Sequence, residues 1–476
     1  MTTHAPTRFS LARFARYASP LALAVLLAAG CGDTSTPPVT TNNQNTAPAF
    51  VIGTDAPVAG VVSFSVQIQS IDAIDSSTGA SVPLLSGTPT VDFARYNGLQ
   101  TLLDMNDVAA GTYDQIAVTL GPATIGYLQT GSGTEPTIQT MPATYTTSSQ
   151  TPTITQTLNN PLVLAQTGPV GVHLDFRLDK SIGVDSTGQI NGQVTPTFDI
   201  NAVGPNDPGA YIDEFIAGIV SVNTTAQSFV IQGPHGRNFT VNVTGQTEWD
   251  NNESISDLTS TSIVQISGIL DRADATIDAD EVAILSQDGF YAAGLTTYVQ
   301  PSSGVATNID LYTRGTLPAS GDDVTDGTIT HVALTGSENY FIYWMHNRFT
   351  QFLFNSSTLL PGQHISVGGP LSGAASQPIS VKRVVLRNWG YNGTVAANTG
   401  STTAGSFQMN VTGFAGQLVP GPVTVYTATG TSWRNGYNSD SDVTVGDKIR
   451  VVGLLIKDPT SGDSIILGRY VDDMNQ

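Results

Sequence analysis

The sequence predicts an all-β protein: an N-terminal antiparallel β-sandwich followed by three small closed β-barrels. Three observations carry this. The 476-residue chain holds 48 Gly and many Thr and Ser, and only 12% of it is charged, a composition of strands and tight turns. Apolar residues alternate with polar ones in short runs, and no long run keeps the 3.6-residue spacing of a helix. From Tyr211 onward a register of glycines and aromatics recurs three times.

The chain opens on Arg8, Arg13 and Arg16, followed by the apolar run Leu21–Ala29 and then Gly30-Cys31. The run is too short to span a bilayer, which takes about 20 apolar residues. A basic start, a short apolar stretch and small residues at the cut predict a signal peptide over residues 1–30. Ala29-Gly30-Cys31 resembles the lipobox of bacterial lipoproteins, with Ala28 where that pattern favours Leu. The resemblance implies that Cys31, the single cysteine of the chain, carries the lipid. Gly32 stands where an Asp would mark inner-membrane retention, which points to the outer membrane of a Gram-negative cell. Residues 31–47 then read as the lipidated cysteine and a disordered Thr-, Asn- and Pro-rich tether.

Removal of residues 1–30 takes three Arg and no acid, leaving 15 basic against 38 acidic residues and a net charge of about −23. Such a surface repels nucleic acid. With no cysteine after the anchor, stability must come from apolar cores.

The sandwich is expected over residues 48–203. Phe50-Val51-Ile52 is a short strand; Val62, Phe64, Val66 and Ile68 alternate with polar neighbours in a half-buried one. Val91-Asp92-Phe93 is short, and Leu99–Leu103 reads as one helical turn. Ile116, Val118 and Leu120 alternate. Thr130–Asn160 reads as weak strands and a long loop. Val170, Val172, Leu174 and Phe176 alternate with His173 and Asp175 on a solvated face, and Ile190, Val194, Phe198 and Ile200 close the set. Thr54-Asp55-Ala56-Pro57, Thr90–Phe93, Leu102-Leu103, Ala110–Tyr113, Leu174-Asp175-Phe176 and Lys180-Ser181-Ile182 together resemble the domain of unknown function four-three-eight-two, common at the N-terminus of bacterial lipoproteins. That resemblance brings no activity. Asp55 before Ala-Pro suits a side-chain turn; pairing of Asp55 with Asp92 or Asp175 in a pocket rests on the resemblance alone.

After a Gly/Pro linker at 204–210 come repeats over 211–290, 291–388 and 389–476. Each opens on a glycine in a strand (Gly218, Gly294, Gly393). Gly268, Gly369 and Gly453 each end an alternating strand, with Thr261, Gly362 and Gly446 seven residues earlier and Trp249, Phe349 and Trp433 19 to 20 residues earlier. Four or five short strands per unit suit a barrel that leaves no open edge. The repeats resemble the domain of unknown function five-six-six-six, which implies a small OB-like barrel.

Motifs of catalysis are absent: there is no HExxH, GxSxG, Walker-type loop or GxGxxG. The histidines left after processing (173, 235, 331, 346 and 364) are not spaced as a metal pair. Among the acidic turns, Asp271, Asp274, Asp278 and Asp280 with Glu281 offer the oxygens calcium prefers, against the ordinary reading of a solvated turn; 322–326 and 440–447 are similar groups without EF-hand spacing. The segment 340–354 (YFIYWMHNRFTQFLF) is apolar on both faces. A strand buried on both sides by a neighbouring barrel does this; otherwise Tyr340, Tyr343 and Trp344 form an aromatic platform for a glycan or protein. These features describe a non-catalytic envelope lipoprotein, a membrane-tethered binding or scaffolding module with no nucleic-acid partner. The alternative is a secreted glycoside hydrolase using two carboxylates, or a carbohydrate-processing accessory protein.

Overall fold

The computed structural model describes residues 46–474 except 56–60, 130–136, 148, 166–169, 186–188, 205–210, 234–235, 272–275, 318–323, 344–351, 371–377, 399–404, 420 and 459–460.

The sandwich comprises β1 (Thr46–Asp55), β2 (Val61–Asp75), β3 (Ala80–Pro83), β4 (Thr90–Asp92), β5 (Thr101–Ala109), β6 (Gly111–Gln129), β7 (Thr137–Pro142), β8 (Thr144–Tyr145), β9 (Thr153–Leu164), β10 (Val170–Phe176), β11 (Ile182–Val184), β12 (Ile190–Val194) and β13 (Phe198–Val203), with one helical turn, α1 (Leu178–Ser181). One sheet runs β13-β10-β1-β5. The other runs β3-β2-β6-β7, with β4 on β2 and β9 on β6. Pairing in both is antiparallel except for β1 beside β10. Period-2 alternation sets the core: Phe64, Val66, Ile68, Ile116 and Val118 from one sheet meet Val51, Val172, Leu174 and Phe176 from the other.

Leu99–Leu103 differs from the expected helical turn. The 3₁₀ turn lies earlier, at Phe93–Tyr96, and Thr101 begins strand β5. Leu103 packs into the sandwich core, whereas Leu102 packs outward with Phe50, Ile52 and Met105 against the next domain. A strand buried on both faces loses its alternation and imitates a helix in sequence. The Thr-rich stretch likewise contains the 12-residue β9, whose outer Thr153, Thr155 and Thr157 are exposed.

Three barrels follow. The first holds β14 (Tyr211–Asn223), β15 (Ser228–Gln232), β16 (Asn238–Asn242), β17 (Glu248–Trp249), β18 (Ile263–Asp271) and β19 (Thr276–Ser286). The second holds β20 (Gly289–Gln300), β21 (Asn308–Leu317), β22 (Ile329–Ala333), β23 (Asn339–Ile342), β24 (His364–Pro370), β25 (Ile379–Ser380) and β26 (Arg383–Leu386). The third holds β27 (Trp389–Asn398), β28 (Ser406–Val411), a short helix α2 (Gly413–Leu418), β29 (Pro422–Tyr426), β30 (Ser432–Arg434), β31 (Lys448–Lys457) and β32 (Ser464–Asp473). The first closes as β14-β15-β16-β19-β18, with β16 and β19 parallel. The third closes identically as β27-β28-β29-β32-β31. In the second, the last strand is broken into β25, parallel to β22, and β26, paired with β24. This ring order is that of an OB-like barrel.

The repeated register has physical causes. Gly268 and Gly453 sit at register shifts where the strand bends round the barrel, and a Cβ there would lie 2.3 Å from Asp278 O and 2.2 Å from Leu467 O. Six residues before each marker glycine, a side chain closes the preceding turn: Ser262 Oγ accepts from Thr259 N–H, Gln363 Oε1 from Leu360 N–H and Asp447 Oδ2 from Thr444 N–H, all at 2.8–2.9 Å. The aromatic of the second repeat is Tyr340, not Phe349, which lies outside the described residues. Trp249 pairs with Val282, Tyr340 with Val384 and Trp433 with Val471, three equivalent ladder positions. The second barrel carries extra chain between this strand and β24, which shifts the sequence spacing.

Candidate functional site

The barrels meet the sandwich at a junction where an otherwise sparsely charged protein buries its ions. The strand β14 contains a one-residue bulge: Ile212 pairs with Gly268 and Phe215 with Ile266, so Asp213 and Glu214 together oppose Ser267. Both bulge N–H groups donate to Gln100 O of the sandwich, at 3.1 and 3.2 Å, and Ser267 Oγ donates to Asp213 O. The extra residue turns two carboxylates into the junction.

Glu214 is 2% exposed. Its Oε1 accepts from Arg387 Nη2 at 2.6 Å and from Arg95 Nη2 at 3.3 Å. Burial alone would raise this carboxyl, but the Arg387 and Arg95 guanidiniums outweigh it and hold it at about 2. Arg387, just after β26 and 1% exposed, also donates to Gln265 Oε1 at 2.6 Å and to the Tyr291 hydroxyl. Arg314 lies 4.5 Å from the Trp389 ring centroid and donates to Ala94 O. His364 packs on Trp389 at 4.8 Å and donates from Nδ1 to Asn388 O; burial, with Arg387 nearby, lowers it to about 3, so its imidazole is neutral. Asp213 accepts from the Tyr470 hydroxyl at 3.0 Å and from Gln100 N–H, and burial pushes it up against the opposing pull of Arg469 and Arg434.

A cleft of about 300 Å³ opens beside this cluster. The sandwich contributes Arg95, Tyr96 and Thr101, the first barrel Glu214, Phe215 and Gln232, and the second Tyr291 and Thr316. Glu214 is its single acidic lining residue among the described residues. Clamped by two guanidiniums, it stays ionised and has little basicity.

Asp326 of the 322–326 group stands beside this cleft, its carboxyl hydrogen-bonded to the Thr316 side chain and raised by burial against the pull of Arg95, while the other residues singled out by sequence lie elsewhere. Cys31 and its flanks, Asp274, Trp344, His235 and His346 are outside the described residues, as are the side chains of Asp55 and Asp271. Asp278 and Asp280 face outward on β19, where Asp278 Oδ1 accepts from Asn242 Nδ2 at 3.0 Å. No group of three His, Cys, Asp or Glu placed to hold a metal occurs among the described residues. Tyr343 is fully buried, its hydroxyl 2.5 Å from Ser267 Oγ, and Tyr340 packs on Phe354 at 5.7 Å. Tyr343 therefore belongs to the core between barrels, and an aromatic platform that includes it is not formed. His173 and Asp175 also differ from expectation. Their face is half-buried: His173 Nε2 lies 3.3 Å from Gln100 Nε2, and burial pushes Asp175 up to about 6 while Arg450 and Arg177 pull it down. His331 Nδ1 meets Asp310 Oδ1 at 2.6 Å on the exposed side of the second barrel.

Sequence reasoning missed Arg95, Glu214 and Arg387. The available signal was a charge set inside an apolar run: Asp213-Glu214 between Ile212 and Phe215, and Arg387 after Val384-Val385-Leu386.

No curated protein matches the chain. The sandwich and the first barrel do match known families: residues 51–194 fit the model of Domain of unknown function (DUF4382), and residues 217–283 fit that of Domain of unknown function (DUF5666).

Proposed function

We propose that this protein is a non-catalytic module of the cell envelope, held to the outer membrane through lipid on Cys31 and acting as a binding or scaffolding body. The observation that carries this reading is the clamped Glu214. The cleft where three domains meet offers hydrogen-bonding groups and rings, but its carboxylate is fixed in the ionised state by Arg387 and Arg95. A glycoside hydrolase needs one carboxyl group poised as an acid and a second placed across the bond. The net charge of −20 supports the exclusion of nucleic acid as partner. The lipid rests on the leader and Cys31 alone.

The test has two arms. Cells expressing the protein are fed a labelled fatty acid; label is expected in the wild-type chain and absent in Cys31→Ser, and an unlabelled wild type would refute the anchor. The purified protein is then incubated with a polysaccharide panel. No new reducing ends are expected, and their steady release would refute the non-catalytic reading.

A further inference from the structure

We propose that the cleft between the sandwich and the first two barrels binds a neutral sugar unit of one or two rings, an inference that rests on the binding reading above. The volume of about 300 Å³ stands at the small end of ligand pockets. Its chemistry narrows the ligand further. Both guanidinium contacts to Glu214 fall on Oε1, so Oε2 of this deeply buried, ionised carboxylate accepts no hydrogen bond from the described residues. Arg95 donates from Nη1 to Arg314 O and from Nη2 to Glu214, which leaves further N–H groups of its fork beside the same space. An acceptor and a donor of opposite charge thus stand side by side.

Neighbouring hydroxyls on a ring satisfy that pair together: one donates to Glu214 Oε2 while the other accepts from Arg95. An anion would meet the free carboxylate oxygen, and a cation would meet the guanidinium. Uncharged Gln232 offers more hydrogen bonds, and Tyr96 and Phe215 supply ring surface for the C–H face of a sugar.

The test is calorimetric titration of the full chain with glucose, N-acetylglucosamine and maltose, with inorganic phosphate as the anionic comparison. Gln232→Ala and Gln232→Leu change the rim and leave the buried ion pairs intact. At least one sugar is expected to bind one to one, weakened about three- to tenfold by each variant, the loss of one neutral hydrogen bond. Phosphate is expected not to bind. Three results would overturn the inference: no sugar binds, a sugar binds with both variants unaffected, or phosphate binds in preference. Reducing ends appearing during a titration that the variants weaken would support the sugar site and overturn the non-catalytic reading instead. Fatty-acid label on Cys31 without any sugar binding would overturn the site and leave the tethered scaffold standing.

Discussion

Replacing Arg387 by Met keeps most of the side-chain length and removes the charge from the centre of the junction. Three hydrogen bonds are lost: to Glu214 Oε1 and Gln265 Oε1, each at 2.6 Å, and to the Tyr291 hydroxyl. Removing one partner of a buried ion pair costs about 3–5 kcal/mol, because the other charge stays behind in a poor solvent. Glu214 keeps Arg95 at 3.3 Å, so the low end, about 3 kcal/mol, is expected. Adding Glu214→Gln removes the stranded charge, and the double variant should be more stable than the summed single losses by roughly 2 kcal/mol. Arg387 stands at the end of the second barrel while Glu214 and Gln265 belong to the first. Its loss should therefore split one calorimetric transition into two as the barrels melt separately. Differential scanning calorimetry with urea titrations reads both quantities. A loss under about 1 kcal/mol with a single transition, or strict additivity in the double variant, would refute the view that this pair ties the domains together.

Other outcomes follow from the same structure. Asp175, raised to about 6 chiefly by burial, is charged at a cost above pH 6, and that cost vanishes once pH falls below its ordinary 3.8. Asp175→Asn should gain about 1–2 kcal/mol at pH 7.5 and nothing at pH 3.5, measured by urea midpoints; equal gains at both would rule out the charge as the cause. His364, lowered to about 3 by burial with Arg387 nearby, takes up a proton only on unfolding below its ordinary 6.5. Its share of stability is complete above pH 6.5 and falls by about 1.4 kcal/mol per pH unit between 6.5 and 3. His364→Gln should flatten the stability profile in that window, and an unchanged slope would refute the assignment. Gly453→Ala sets a Cβ 2.2 Å from Leu467 O and should cost about 2–4 kcal/mol, whereas Gly430→Ala meets nothing within 4 Å and should be close to neutral. Arg237 and Asp107 pair at 3.1 Å with both side chains substantially exposed, so Asp107→Asn should change stability by less than about 1 kcal/mol.

Half-buried strands declared themselves in the sequence, because one wet face enforces alternation. Phe64, Val66 and Ile68 on β2 and Val172, Leu174 and Phe176 on β10 are core residues of the sandwich. The barrel register was legible for the same kind of reason: Gly268 and Gly453 mark a bend that admits no side chain, and Ser262 and Asp447 mark the turn before it. Legibility failed where a second layer covers a face. Leu102 and Leu103 serve two cores, and His173 and Asp175 are half-buried near Gln100 and Arg450, neighbours that a single strand's pattern cannot report. The junction was hardest to foresee. Arg95, Glu214 and Arg387 are 119 and 173 residues apart in contacting pairs, and only the docking of whole domains brings them together.

Those ions also explain how barrels of one topology dock in one arrangement. Each presents the same point of its first strand to the sandwich segment around Arg95–Gln100. The residue opposite the position before the marker glycine is Tyr291 in the second barrel, Gly390 in the third, and the bulged pair Asp213-Glu214 in the first. Gly390 admits Asn97, whose Nδ2 donates to Gly390 O at 2.6 Å where a Cβ would lie 2.4 Å from Asn97 O. Tyr291 receives Arg387, and the acidic bulge receives Gln100, Arg95 and Arg387. Apolar faces alone would let similar barrels exchange places. Exchanging the first with the third would set two carboxylates against Asn97 and leave Arg387 buried without its acid, a penalty of several kcal/mol. The cleft inherits its charge pair from this arrangement: the contact that fixes the order of the domains also leaves Glu214 Oε2 open beside Arg95.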